Sequence, residues 1–208
     1  MDPRFKHPYC CLVAGPSGSG KTSFIYNIIT NLNDMILPTP DKVLYCYKEW
    51  QPLYDELQSV WNVEFVEGLP DTDSFTAMHT RLVIIDDLMD EADSRITRLF
   101  TRESHHRGIS VMLITQNLFS NNKEQRTINL NAHYIVLFKN PRDASQISHL
   151  ASQMYPGKTS YMKEAYRLST IKPFGYLLID LKQETDEKFR LRTNIFPNDQ
   201  QIVYLPKN

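Results

Sequence analysis

The sequence predicts an α/β fold: a mostly parallel central sheet flanked by helices on both faces. Three observations lead there. Runs rich in β-branched and aromatic residues recur along the chain, amphipathic stretches fill most of the gaps between them, and several runs are apolar at every position. The runs fall at residues 9–13, 42–47, 63–66, 82–86, 109–115, 133–138 and 175–181, and the amphipathic stretches at 22–32, 52–61, 93–106, 144–154 and 161–168. Continuous apolar runs such as Leu82-Val83-Ile84-Ile85 fit central strands covered on both sides, as the strands of a parallel sheet are.

The first run leads directly into Gly15-Pro16-Ser17-Gly18-Ser19-Gly20-Lys21-Thr22-Ser23, and a helical stretch follows. Glycines at 15, 18 and 20 let the backbone turn tightly, so that successive N–H groups converge on phosphate oxygens. The helix points its positive end at the same oxygens, Lys21 reaches the β- and γ-phosphates, and the Thr22 hydroxyl is a Mg²⁺ ligand. This is a complete phosphate-binding loop, and it makes ATP with Mg²⁺ the first ligand to consider. The run at 82–86 supplies the second half of such a site. Its apolar residues deliver Asp86 and Asp87 to the carboxyl edge of the sheet, where open α/β sheets bind ligands. Asp86 is placed to hold Mg²⁺ directly or through water, and Asp87 to orient or deprotonate an attacking water.

Thirty positions after Asp86, the run at 109–115 ends in Gln116-Asn117. An amide there donates and accepts hydrogen bonds without adding charge, which suits it to sense a γ-phosphate. The stretch before that run carries Arg95, Arg98, Arg102 and Arg107. A guanidinium suits γ-phosphate stabilisation across a subunit boundary, and Arg107, then Arg102, are the candidates. His105 and His106 have no carboxylate or thiol partners at ligand spacing and are not read as a metal site.

The chain has 208 residues, is 41% hydrophobic and carries a net charge of −1, as an ordinary globular domain does. A single domain over 1–208 is expected, with about 197–208 as a C-terminal arm or edge segment. No apolar run approaches the roughly 20 residues that span a bilayer, and the first residues lack the apolar stretch of a secretion signal. The expectation is a chain that stays inside a cell, away from membranes. Cys10, Cys11 and Cys46 read as buried strand residues. Loops are expected at 37–40, 68–71 and 117–124, the last of them polar. Residues 139–194 hold ten Lys and Arg against six Asp and Glu, whereas 86–93 is acidic; a basic face of this kind suits a DNA backbone.

Four phrases add a resemblance: His105-His106-Arg107-Gly108-Ile109-Ser110-Val111, Ile114-Thr115-Gln116-Asn117-Leu118-Phe119, Val136-Leu137-Phe138-Lys139-Asn140-Pro141-Arg142-Asp143 and Arg192-Thr193-Asn194-Ile195-Phe196-Pro197. With the order phosphate loop, Asp-Asp strand, Gln-ended strand, the chain resembles the additional-strand division of P-loop ATPases, within it the FtsK–HerA superfamily. The phrases resemble the genome-packaging ATPases of Polinton/Maverick elements and adintovirus-like DNA viruses, relatives of the poxvirus packaging ATPase, from about residue 7 to 197. The resemblance implies a ring, pentameric or hexameric, that hydrolyses ATP to drive double-stranded DNA into a capsid at its portal, acting at the viral assembly site or in the virion. It carries over Lys21 and Thr22 as nucleotide and Mg²⁺ ligands, Asp86 and Asp87 as the Walker B pair, where many relatives place Glu second, and Gln116 as sensor. It transfers no arginine finger. Two other classes stay open: a small-molecule phosphotransferase of the nucleotide-kinase kind, and a nucleotide-gated structural subunit.

Overall fold

A computed structural model of the chain describes residues 2–60, 62–71, 75, 82–88, 93–119 and 123–206. Its strands are β1 (Phe5–Lys6), β2 (Cys10–Ala14), β3 (Ile36–Leu37), β4 (Val43–Tyr47), β5 (Val63–Glu67), β6 (Leu82–Asp86), β7 (Ser110–Thr115), β8 (Tyr134–Phe138), β9 (Tyr176–Asp180), β10 (Leu191–Thr193) and β11 (Ile202–Val203). Among the described residues nine of these form one sheet in the order β11-β10-β9-β8-β2-β7-β6-β4-β5, and β1 pairs with β3 apart from it. From β8 to β5 every pairing is parallel. β9, β10 and β11 extend the sheet antiparallel.

The apolar runs become central strands because both their faces are covered. In β2, β6 and β7 alternate residues enter two separate cores. Leu12, Val83, Ile85, Val111 and Leu113 pack on one side, and Val13, Leu82, Ile84, Met112 and Ile114 on the other. The helix Lys21–Thr30, called α1, covers the second side with its buried Phe24, Ile25, Ile28 and Ile29. The first is covered by Ser145–Met154 and Thr159–Ser169, through residues such as Ile147, Leu150, Met162 and Ala165. All three cysteines are buried in strands with free thiols, and burial pushes Cys10 and Cys46 up to about 12.

Several boundaries differ from the sequence expectation. The stretch at 22–32 divides into α1 and a second, four-residue α-helix, Leu32–Met35, because Asn31 leaves the helical region at φ −122° and ψ 32°. The stretch at 93–106 is helical at both ends, Asp93–Arg98 and Ser104–Arg107, with a π-helical turn over Leu99–Glu103 between them. Part of the expected polar loop is helix instead: Lys123–Leu130. Its buried Gln125 bonds to Asn129, and Gln125 and Asn129 both donate to the Leu118 carbonyl. Trp61, residues 89–92 of the acidic segment, residues 120–122 of the polar loop, the His105 side chain and the ends of the expected 1–208 domain (Met1, 207–208) lie outside the described residues.

The far edge is pinned by a buried ion pair. Arg192 Nη2 lies 3.1 Å from Asp180 Oδ2, both side chains almost fully buried. Thr185 donates to the other carboxylate oxygen, and Arg192 also donates to the carbonyl of Pro3, tying the first residues to β9 and β10. Charges this deep persist only when paired and hydrogen-bonded in this way.

Candidate functional site

Strand register brings the motif residues to one sheet edge. Ala14 pairs with Thr115, and Asp86 with Ile114, so that Gly15, Gln116 and Asp87 leave their strands side by side. The Gly15 N–H donates to the Thr115 carbonyl at 3.2 Å, fastening the start of the loop to the end of β7. β7 lies between the strand that feeds the loop and the strand that ends in Asp86. That inserted strand is the defining feature of the additional-strand architecture.

The loop geometry demands its glycines. A Cβ at Gly15 would stand 2.7 Å from Phe138 Cβ and 2.8 Å from Ser19 Oγ, so only glycine fits. Gly20 caps α1 at φ 103°, a left-handed conformation that glycine adopts without steric cost. The Lys21 ammonium folds back to donate to the carbonyls of Gly15 at 2.7 Å and Pro16 at 2.9 Å. Burial pulls it below its ordinary range, against the opposing attraction of Asp86 and Asp87.

A cavity of about 270 Å³ opens beside the loop, lined by residues that include Lys21, Thr22, Asp86, Asp87, Gln116 and Gln51. Asp86 is only 5% exposed. Burial pushes its carboxyl above the usual carboxylate range and Asp87 adds to the rise; the hydroxyls of Tyr54 and Tyr45 and the charge of Lys21 oppose it. Tyr54 donates to Oδ2 at 2.7 Å and Tyr45 to the same oxygen at 2.9 Å. Two donors on one oxygen orient the carboxylate and leave Oδ1 as the oxygen that a cation or its water can use. Asp87 sits at φ 57°, a left-handed position that Asp tolerates better than most residues. Gln116 lines the cavity and is exposed, as is Asn117 next to it in the chain. The loop behind them is held by the buried amide of Gln146, which accepts from the Leu118 N–H at 3.0 Å.

These residues fit a nucleotide with its magnesium ion. Ser19 Oγ is buried without a hydrogen-bond partner in the crook of the loop. Among the described residues no three His, Cys, Asp or Glu side chains cluster to hold a metal alone. Mg²⁺ needs no such cage, because it keeps its waters and binds through one or two carboxylates together with substrate phosphates. Thr22 and Asp86 are the side chains that would hold it.

The arginines lie elsewhere. Arg107 ends its helix just before β7 begins, at the sheet edge opposite the cavity, and the six residues of β7 separate the two by about 20 Å. Its Nε lies 3.9 Å from the buried Glu103, which also bonds Arg98 at 3.0 Å. Arg95 donates to the Leu69 carbonyl. Arg102 is exposed on the π-helical turn. Neither Arg102 nor Arg107 lines the cavity of its own chain. Tyr45, Tyr54 and Gln51 also belong to the site, although no sequence motif marks them. Tyr45 stands in an otherwise apolar buried strand and Tyr54 on the buried face of an amphipathic helix, Pro52–Gln58; a buried phenol needs a hydrogen-bond partner, but which one it finds depends on how the strands pair.

Fold and site together define an α/β protein with the P-loop NTPase fold of the additional-strand type. No family model matches the sequence, and no curated protein does. Among solved structures the chain is similar to the cytoplasmic domain of EssC, with a TM-score of 0.50 at 13% identity over 96% of this chain and 40% of that one. It is similar also to the Legionella pneumophila ATPase DotB, with a TM-score of 0.44 at 15% identity over 76% of this chain and 52% of that one. The chain therefore spans about half or less of the structures it matches. At such identities the likeness concerns the fold alone. Among the described residues no helix is long and apolar enough to cross a membrane.

Proposed function

We propose that this chain is a Mg²⁺-dependent ATPase whose nucleotide site lies between the phosphate loop and the Asp86–Asp87 edge. One observation carries the reading: Lys21, Thr22, Asp86, Asp87 and Gln116, distant in sequence, line a single cavity. In this reading Lys21 leaves the Gly15 and Pro16 carbonyls to neutralise the β- and γ-phosphates. Thr22 and Asp86 hold the cation, which when bound offsets the charge that builds up on the phosphate oxygens. Asp87 accepts a proton from the attacking water as its oxygen bonds to the γ-phosphorus. The bond from that phosphorus to the β–γ bridging oxygen breaks, and ADP and phosphate leave. Gln116 donates to the transferred group from the end of β7.

The finer reading comes from the sequence phrases that resemble genome-packaging ATPases: hydrolysis coupled to translocation of double-stranded DNA by a ring, with a capsid or portal protein as partner, at the site of assembly inside the cell. Arg107 lies on the edge opposite the cavity and pairs with Glu103, so in a ring it could reach a nucleotide only in a neighbouring copy. The test is phosphate release at several protein concentrations, with and without long duplex DNA. Turnover that rises steeply with concentration and is stimulated by duplex DNA supports the ring motor. Turnover independent of both means a self-contained phosphotransferase, and nucleotide-driven assembly without phosphate release means a structural subunit.

A further inference from the structure

The phosphate loop has a second hollow on its other side. An open cavity of about 290 Å³ is lined by Gly18 and Ser19 of the loop, Lys139 at the end of β8, and Ile171, Lys172 and Phe174 with their neighbours in the turn before β9. Gly18 lines both hollows, so they meet at the tip of the loop. A triphosphate in the first cavity therefore has the second within reach of the sugar and base attached to it.

The turn that builds this wall is unusual for its surroundings. Ile171 is 60% exposed and Phe174 68% exposed, large apolar side chains given to solvent beside a polar loop. Phe174 also holds φ 61°, where a bulky residue is an outlier that its surroundings must enforce. Gly175 enforces it. Its N–H bonds the Lys172 carbonyl at 3.1 Å, and a Cβ there would lie 2.4 Å from the Ser169 carbonyl oxygen. The result sets Phe174 against the loop, with its Cβ and Cδ1 each 3.2 Å from where a Cβ on Gly20 would be. Lys139 and Lys172 flank the hollow with positive charge.

We infer that this second hollow is the base-and-sugar subsite of the nucleotide, with Phe174 as the aromatic platform on which the base stacks. The inference rests on the nucleotide reading of the first cavity and adds what that reading lacks, a contact that distinguishes a nucleoside triphosphate from bare polyphosphate. It also sets the selectivity. Stacking is tolerant because every base has a π-face, and strong discrimination needs buried polar groups matched to one base edge. The wall is aromatic, aliphatic and lysine, so adenine and guanine nucleotides bind with similar affinity.

The test is equilibrium binding of ATP, GTP and inorganic tripolyphosphate, each with Mg²⁺, to the wild-type chain, Phe174→Ala and Phe174→Trp. The expected result is that Phe174→Ala weakens ATP and GTP alike by about ten-fold or more while tripolyphosphate changes by less than about two-fold. Phe174→Trp keeps ATP affinity, and its added emission responds to ATP and not to tripolyphosphate. If Phe174→Ala weakens ATP and tripolyphosphate equally, or changes neither, the subsite is overturned. If the wild-type chain binds tripolyphosphate as tightly as ATP, the subsite falls while the phosphate site stands. If it binds neither, the nucleotide reading itself fails and the subsite with it.

Discussion

Replacing Tyr54 by Phe removes one oxygen from a fully buried position and keeps the ring that packs on Tyr45 and Phe65, with centroids 4.8 and 5.4 Å away. The lost group is the hydroxyl that donates to Asp86 Oδ2 at 2.7 Å. A hydrogen bond to an ionised group contributes about 1.5–3 kcal/mol, and partners of metal-binding carboxylates typically change metal affinity by about 10–100-fold. This bond favours the ionised form of Asp86 against the burial that opposes it. Its loss therefore moves the Asp86 titration further up and thins the population of carboxylate able to hold Mg²⁺. In Tyr54→Phe the Mg²⁺ concentration giving half-maximal ATP turnover rises by about ten-fold or more, and turnover recovers at high Mg²⁺. The acid limb of the pH–rate profile moves to higher pH. Tyr45→Phe acts in the same direction, since its hydroxyl reaches the same oxygen at 2.9 Å. The assay is steady-state phosphate release titrated with Mg²⁺ at several pH values. An unchanged Mg²⁺ dependence and acid limb in folded Tyr54→Phe would refute the assignment of Asp86 as a cation ligand oriented by these two phenols.

Other expectations concern stability. Because the Asp86 carboxyl is raised in the folded chain, its contribution to stability is present at low pH and is lost as pH rises through the raised value. Asp86→Asn should therefore be more stable than wild type at neutral pH, by an amount on the order of 1 kcal/mol or a few degrees in Tm, with the gap closing in acid, while hydrolysis is lost. Thermal unfolding across pH reads this directly, and a less stable variant at neutral pH would count against it. Gly15→Ala must push Phe138 or Ser19 aside; overpacking of that kind costs about 1–3 kcal/mol by denaturant titration, and it should weaken nucleotide binding as well. Asp180→Ala leaves Arg192 buried and unpaired, at a cost of about 3–5 kcal/mol, whereas Asp180→Leu combined with Arg192→Met should be close to neutral. Equal losses in the two would show that packing rather than charge decides that site.

The parts of the fold that the sequence made legible are those where one physical rule acts alone. β2, β6 and β7 are buried on both faces, so their apolar runs are continuous and their ends fall where the motif residues begin. The short strands β1, β3, β10 and β11 have two or three residues each, too few for any period to show. The helix Lys123–Leu130 was hidden because side-chain amides, more than an apolar stripe, hold it in place. At the site, the phosphate loop and Asp86 were legible because backbone turns and a buried strand constrain sequence locally. Tyr45, Tyr54 and Phe174 were not, because their roles depend on which strand lies beside which: Tyr45 reaches Asp86 only because β4 pairs with β6. Phe174 meets the loop only because β9 joins the sheet beside β8.

The proposed mechanism places ATP hydrolysis in the cavity between Lys21 and Asp86. Its most direct test is phosphate release at high protein concentration with saturating Mg²⁺ and ATP, compared among the wild-type chain, Lys21→Ala and Asp86→Asn. Turnover in the wild-type chain should fall by about 100-fold or more in each variant, since each removes charge or metal from the transferring phosphoryl group. Equal turnover in all three would place the chemistry outside this cavity.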